Sequence, residues 1–215
     1  MSKSINEILD YKKSEKTPEF NNTKFFSEKM KDYANVPGEK IQINVPPELA
    51  KTVLENCFQH FLSKENKKLI WRPEYDEIVS WIMDNEGRGL FLFGECGLGK
   101  SMLSRYVIPA ILYAYFNKYS MICSAQEMNS RLDEVLELKI ISLDDIGTES
   151  LLNEFGNKRL AFAEVMDSVE RKAKLAIIST NLNAHEIEQR YGTRTLDRIV
   201  ATTKRIEFKG DSFRK

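Results

Sequence analysis

The residues Gly94-Glu95-Cys96-Gly97-Leu98-Gly99-Lys100-Ser101 have types and spacing suited to holding a highly charged anion. They fit the pattern G-x-x-x-x-G-K-[ST], a glycine-rich loop whose successive backbone N–H groups turn inward around phosphates. Glycine permits the left-handed backbone that such a turn requires. A helix starting at the end of the loop adds partial positive charge beneath the anion. In this arrangement Lys100 reaches the β- and γ-phosphates as a point charge, and the Ser101 hydroxyl is a ligand for Mg2+. Glu95, Cys96, Leu98 and the following Met102 contribute mainly through their backbone. The competing reading is an ordinary glycine turn ahead of a helix. The apolar run before the loop and the helical pattern after it weigh against that.

A loop that binds a nucleoside triphosphate needs acidic groups nearby to hold the metal and orient a water. The run Lys139-Ile-Ile-Ser-Leu-Asp144-Asp145-Ile-Gly147 provides an apolar strand ending in two carboxylates. In a parallel sheet, ligands collect at the carboxyl ends of strands. Asp144 is therefore assigned to the metal and Asp145 to the attacking water, an arrangement suited to hydrolysis. A second apolar run, Leu175–Ser179, ends in Thr180-Asn181, and a neutral amide there suits the γ-phosphate or the water. Downstream, Arg194 and Arg198 stand four apart and so share a helix face. Either could reach a neighbouring subunit's phosphate, or pair with acids such as Glu188 and Asp197 on a solvated surface. Residues 190–215 carry eight Lys/Arg against three acids, a local excess able to track a single-stranded nucleic-acid backbone. Aromatic residues for base stacking are sparse there.

These groups need a scaffold, and the apolar pattern supplies one. Helical spacing runs through Leu49–Leu62, about Glu74–Asn85, Lys100–Phe116, Ala125–Leu136 and Leu160–Lys172, with two short helices after Asn181. Strands are predicted at Ile41–Val45, Leu90–Phe93, Tyr119–Cys123, Lys139–Leu143, Leu175–Ser179 and Lys204–Phe208, with an irregular segment after Gly147. Alternation of this kind implies an α/β fold: a parallel sheet with helices on both faces. The stretch Ser63–Lys68 reads as a solvated connection. The boundary is therefore set at 68/69, with a short, mainly helical, partly flexible N-terminal segment (1–68) for partner binding and a core over 69–215. The amphipathic Leu49–Leu62 helix either docks on that core or grips a partner through its aromatic face.

Across 215 residues, Lys+Arg and Asp+Glu are both 32, so the net charge is zero and nothing global demands nucleic acid. Hydrophobic residues at 42% allow a sizeable core, which excludes disorder. No apolar run approaches the ~20 residues of a bilayer span, so no membrane role is expected. The polar start lacks a secretory signal. Three cysteines without a CxxC pair, and only two histidines, argue against a disulfide framework or a zinc site and for a reducing cytoplasm.

Taken in order, GECGLGKS, IISLDDIGTE, IISTNL, RYGTRTLDRIV and IEFKGDSFR resemble the DnaC/DnaI-type replicative helicase loaders and the IstB-type transposition ATPases, a clade of AAA+ P-loop ATPases. The resemblance spans about Leu69 to Arg214. It implies strand order 5-1-4-3-2, ATP with Mg2+ bound at a subunit boundary, and self-association through the ATP site. By motif position, Asn181 resembles the sensor-1 residue, Arg198 the arginine finger with Arg194 in the same box, and Arg214 the sensor-2 arginine. The expected function is an ATP-hydrolysing DNA-replication protein that holds single-stranded DNA and a ring helicase, with ATP as the switch. An IstB-like regulator of transposition is the alternative, and a small-molecule P-loop kinase fits less well. The second carboxylate is Asp145 where most AAA+ proteins carry Glu. That shorter reach implies slow, partner- or DNA-stimulated hydrolysis, with Glu149 as the fallback for the water-orienting role.

Overall fold

A computed structural model of the chain describes residues 38–150, 152–154, 157–210 and 212. From Gly38 onward the chain forms one compact unit. Its centre is a five-stranded, all-parallel sheet of β1 (Gly89–Gly94), β2 (Met121–Ser124), β3 (Ile140–Ile146), β6 (Leu175–Thr180) and β7 (Thr203–Phe208). The order across it is β2-β3-β6-β1-β7, the expected 5-1-4-3-2 read from the other edge once the strands are counted along the sheet alone. The two remaining strands, β4 (Leu152–Glu154) and β5 (Asn157–Arg159), make a separate antiparallel pair in the segment read as irregular.

Side chains leave successive residues of a strand on opposite faces, and this chain uses both. Leu90, Leu92, Leu175, Ile177, Ile206 and Phe208 point to one face, which helices α1 (Pro47–Ser63), α2 (Pro73–Met83) and α3 cover. Helix α3 runs continuously from Lys100–Met102 through a π turn, Leu103–Val107, into Ile108–Phe116. Phe91, Ile141, Leu143, Ala176 and Ile178 point to the other face. There they meet α4 (Ala125–Ser130), α5 (Leu132–Glu137), α6 (Ala161–Lys172), α7 (Ala184–Tyr191) and α8 (Thr193–Thr202). With both faces covered, the inner strands become continuous apolar runs, as parallel sheets require.

Local chemistry sets the ends of these elements. Proline opens α1 and α2, where its missing N–H is not needed. Capping boxes start α4 (Ser124 with Glu127) and α7 (Asn183 with Glu186), each satisfying two helix-terminal N–H groups. The helix expected over Ala125–Leu136 is broken at Arg131 into two short ones.

Two expectations about the start of the core change. Ile41–Val45 alternates as predicted, with Ile43 and Val45 buried, but among the described residues it pairs with no strand. Its backbone instead bonds the end of α2: the Val45 N–H donates to the Ile82 carbonyl (2.8 Å) and the Ile43 N–H to Asn85 Oδ1 (2.8 Å). The division at 68/69 falls inside the compact unit, because α1 spends its apolar face on the same core as the later residues. Ala50, Val53, Leu54 and Phe58 are buried, and the Phe58 ring lies 4.8 Å from that of Tyr75 in α2. Phe58→Ala should therefore cost about 3–5 kcal/mol of global stability, measured by urea denaturation. A loss below about 1 kcal/mol would mean that α1 is a detachable appendage.

Candidate functional site: a phosphate loop facing a carboxylate and an amide

The loop leaves β1 at Gly94, whose φ of +115° only glycine adopts readily. A β-carbon there would strike the Phe208 carbonyl oxygen of the neighbouring strand at 2.2 Å, so space and conformation both demand glycine. Gly97 and Gly99 also have positive φ (+77° and +92°). Lys100, only 5% exposed, folds back so that its Nζ donates to the carbonyls of Gly94 (2.9 Å) and Glu95 (2.6 Å). The lysine thus spans the loop it belongs to and holds it curved. Glu95 anchors the outer side: its N–H donates to the Phe208 carbonyl, and its Oε2 accepts from the Gly210 N–H. Leu98 is fully buried beneath.

Beside this loop lies a cavity of about 630 Å³. Cys96, Gly97, Gly99, Lys100, Ser101 and Met102 form one wall, and Asp145, Ser179, Thr180 and Asn181 at the ends of β3 and β6 form another. Asn181 Nδ2 donates to Asp145 Oδ1 at 3.0 Å. The predicted water-orienting carboxylate and the predicted amide therefore face the loop as a bonded pair. Asp145 sits at φ +59°, where the register of β3 against β6 shifts between Leu143 and Ile146. That irregularity turns Asp145 out of the strand's alternation and into the cavity.

Asp144 lies one layer deeper. It is 6% exposed and is not among the cavity-lining residues. Its Oδ1 accepts from Ser104 Oγ of α3 (2.9 Å) and from Ser179 Oγ of β6, and the Arg105 guanidinium stands 3.7 Å from Oδ2. Ser179 Oγ in turn accepts from the Asp145 N–H at 3.0 Å. Ser142 Oγ donates to the Ser104 carbonyl in the π turn. The residues that position the site, Ser104, Ser142 and Ser179, did not emerge from motif reading. Their signal was present as polar residues interrupting otherwise apolar, buried strands and a helix.

Mg2+ beside a nucleotide retains several waters and needs only one or two protein oxygens besides the phosphates. The Ser101 hydroxyl and Asp145 at the cavity, with Asp144 adjacent, fit that requirement. Among the described residues no cluster of three or more His, Cys, Asp or Glu forms an independent metal cage.

Glu149, the fallback for the water role, is buried and already engaged. Its Oε1 accepts from the Tyr191 hydroxyl and its Oε2 from the Gly147 N–H (2.8 Å), with Arg190 3.8 Å away. Burial first, and then the bond to this carboxylate, push the Tyr191 phenol far above its usual range, so it stays a donor. Arg198 is bound within its own chain, to Asp167 and, at 3.0 Å, to Glu170 of α6. Arg194 on the same helix is exposed and has no ion-pair partner among the described residues. Arg214 lies outside the described residues. Beyond the motifs, Leu62, Glu65, Lys67, Lys68, Leu69 and Ile70 close the far side of the cavity, so the stretch read as a solvated connection lines the site.

Neither a protein-family model nor a curated protein matches the sequence. Solved structures do match. A DnaC helicase loader aligns at 18% identity and a TM-score of 0.50, covering 83% of this chain and 99% of that one. DnaI aligns at 23% identity and a TM-score of 0.47, over 59% of this chain and 73% of its own. AMPPCP-bound DnaA from Aquifex aeolicus aligns at 15% and 0.48, over 66% and 49%. The likeness to the DnaC loader shows a shared fold over nearly all of that protein. Among the described residues no helix is long and apolar enough to cross a membrane.

The two arginines of α8 should behave differently when removed. Arg198→Ala should lower stability by about 1–3 kcal/mol by breaking the tie between α8 and α6, whereas Arg194→Ala should stay within about 0.5 kcal/mol of the parent. Urea denaturation of both variants checks this.

Proposed function

We propose that this chain binds and hydrolyses ATP as a replication protein of the helicase-loader type, assembling side by side with copies of itself at the ATP site. The observation that carries this reading is the bonded Asp145–Asn181 pair facing the phosphate loop across one cavity. A phosphate-binding loop alone would serve any nucleotide protein. A carboxylate oriented by an amide, opposite the position of the terminal phosphate, is what hydrolysis needs in addition.

In this reading the amides of Gly97 to Ser101 bind the phosphates. Lys100 gives up its two loop carbonyls and turns its charge to the β- and γ-phosphates. Ser101 and, through water, the deeper Asp144 would hold Mg2+, which would supply neutralisation of charge on the phosphate oxygens. Asp145 accepts a proton from the attacking water, and Asn181 fixes the carboxylate's orientation through Oδ1. A neighbouring subunit completes the site with an arginine from α8. Arg198 would have to abandon Asp167 and Glu170 to do so, whereas Arg194 is already exposed, so Arg194 is assigned that task and Arg198 the task of holding α8 in place. Arg214 keeps its proposed contact with the nucleotide from within the same chain.

The loader assignment rests on the order of motifs together with the fold shared with the DnaC loader, and it is fold-level analogy. The ring helicase is the proposed partner, bound through residues 1–37, since Ile43, Val45 and the apolar face of α1 are already packed in the core. Single-stranded DNA is the proposed cargo, on the basic stretch 190–215, with the cytoplasm as the compartment. The IstB-like alternative shares the same ATP site and differs in its partner. Co-purification with a replicative helicase from the same source supports the loader reading, and recovery of a transposase instead overturns it.

The ATP site has its own tests. Lys100→Ala should weaken ATP binding by roughly 10- to 100-fold, measured by calorimetry. Asp145→Asn should leave binding near the parent value and slow hydrolysis by roughly 100-fold or more. In mixtures, Arg194→Ala subunits should regain hydrolysis when paired with Lys100→Ala subunits, because each supplies what the other lacks. No recovery would place the arginine's role within its own subunit.

A further inference from the structure

Tyr75 on α2 turns a polar group toward the cavity from an otherwise aromatic setting. It is 3% exposed, and its ring is fixed by Phe58 (4.8 Å), Trp71 (5.6 Å) and Phe208 (6.4 Å). Its hydroxyl has no hydrogen-bond partner among the described residues, yet Tyr75 lines the cavity. A β-carbon on Gly99 would come within 3.1 Å of that oxygen, which places the hydroxyl against the phosphate loop at the start of α3. The oxygen is not among the buried polar atoms left without a partner, so it opens on the cavity, where a ligand can exchange a hydrogen bond with it.

The sheet order says which part of a nucleotide would reach it. The carboxylate and amide stand at the ends of β3 and β6, on one side of β1. The terminal phosphate belongs there. Tyr75 packs on Phe208 at the end of β7, on the opposite side of β1. Leu62, Leu69 and Ile70 also line the cavity, giving it an apolar wall suited to a flat base. A triphosphate laid along the loop with its last phosphate toward Asp145 therefore directs its sugar and base toward Tyr75.

We propose that the Tyr75 hydroxyl is a hydrogen-bonding contact to the nucleoside half of the bound nucleotide, on the β7 side of the phosphate loop. This rests on the ATP-site reading above and adds a residue no phosphate-loop motif contains. Burial pushes the phenol up to about 12, so it is neutral and able to donate throughout the physiological range. The contact is to the sugar or base, which separates this residue from every group assigned above to the phosphates.

The test is Tyr75→Phe, which keeps the ring and its packing and deletes only the oxygen. ATP affinity is measured by calorimetry for both proteins, and tripolyphosphate affinity by displacement of a fluorescent ATP analogue, with thermal melting as the check on folding. The expected result is an ATP affinity weakened on the order of 3- to 10-fold, an unchanged tripolyphosphate affinity and an unchanged melting temperature. Unchanged ATP affinity overturns the proposal. An equal loss toward both ligands also overturns it, because the oxygen would then serve the phosphates. Failure of the parent protein to bind ATP removes the site itself and the proposal with it. That outcome is distinct because it appears before any substitution is made.

Discussion

The buried carboxylate of Asp144 is the joint on which the site depends. Taking an anion out of water costs several kcal/mol unless bonds and opposite charge compensate. Here Ser104 from the phosphate-loop helix and Ser179 from β6 both donate to it, and Arg105 stands nearby. Three elements far apart in sequence are thereby pinned at one point. Ser179 carries the constraint one step further by accepting the Asp145 N–H, which fixes the backbone of the residue that faces the cavity. The π turn in α3 contributes by bringing the Ser104 carbonyl to Ser142 while its hydroxyl reaches Asp144. Such turns are frequent at functional sites.

Around this joint the architecture divides its labour across β1. On the β3–β6 side are the carboxylate and amide suited to chemistry on a terminal phosphate. On the β7 side are the aromatic and aliphatic groups suited to holding the rest of a nucleotide. Helix α1 and the stretch after it belong to the second side, which is why the chain from Gly38 behaves as one unit. The N-terminal part of this unit thus shapes the ligand cavity, and the connection after α1 contributes Lys67 and Lys68 to its rim.

Charge placement on α8 separates two arginines that motif position treats alike. Arg198 is 9% exposed because Asp167 and Glu170, both on α6, converge on it. Arg194, one turn earlier, projects from the same helix into solvent. A guanidinium with two carboxylates at hand is a poor candidate for an incoming phosphate, since each lost ion pair must be replaced. The exposed one has no such competition.

The phosphate loop was readable from eight consecutive residues because its chemistry is carried by backbone amides and glycine conformations that local sequence specifies. Periodicity likewise revealed the α/β class and the five strands of the sheet, since burial on both faces writes itself as apolar runs. The Asp145–Asn181 pairing was not legible, because it joins the ends of two strands through residues 36 apart. Other features required the folded chain. Ile41–Val45 alternates like a strand, but sequence cannot tell whether a sheet edge is open to it. The polar stretch after α1 reads as solvated because composition does not reveal that a cavity lies beneath. Asp144 and Asp145 are chemically identical, and only the local shift in strand register sends one into the interior and the other into the cavity. Local sequence determined which groups could bind phosphate; packing between distant elements decided which way each one points.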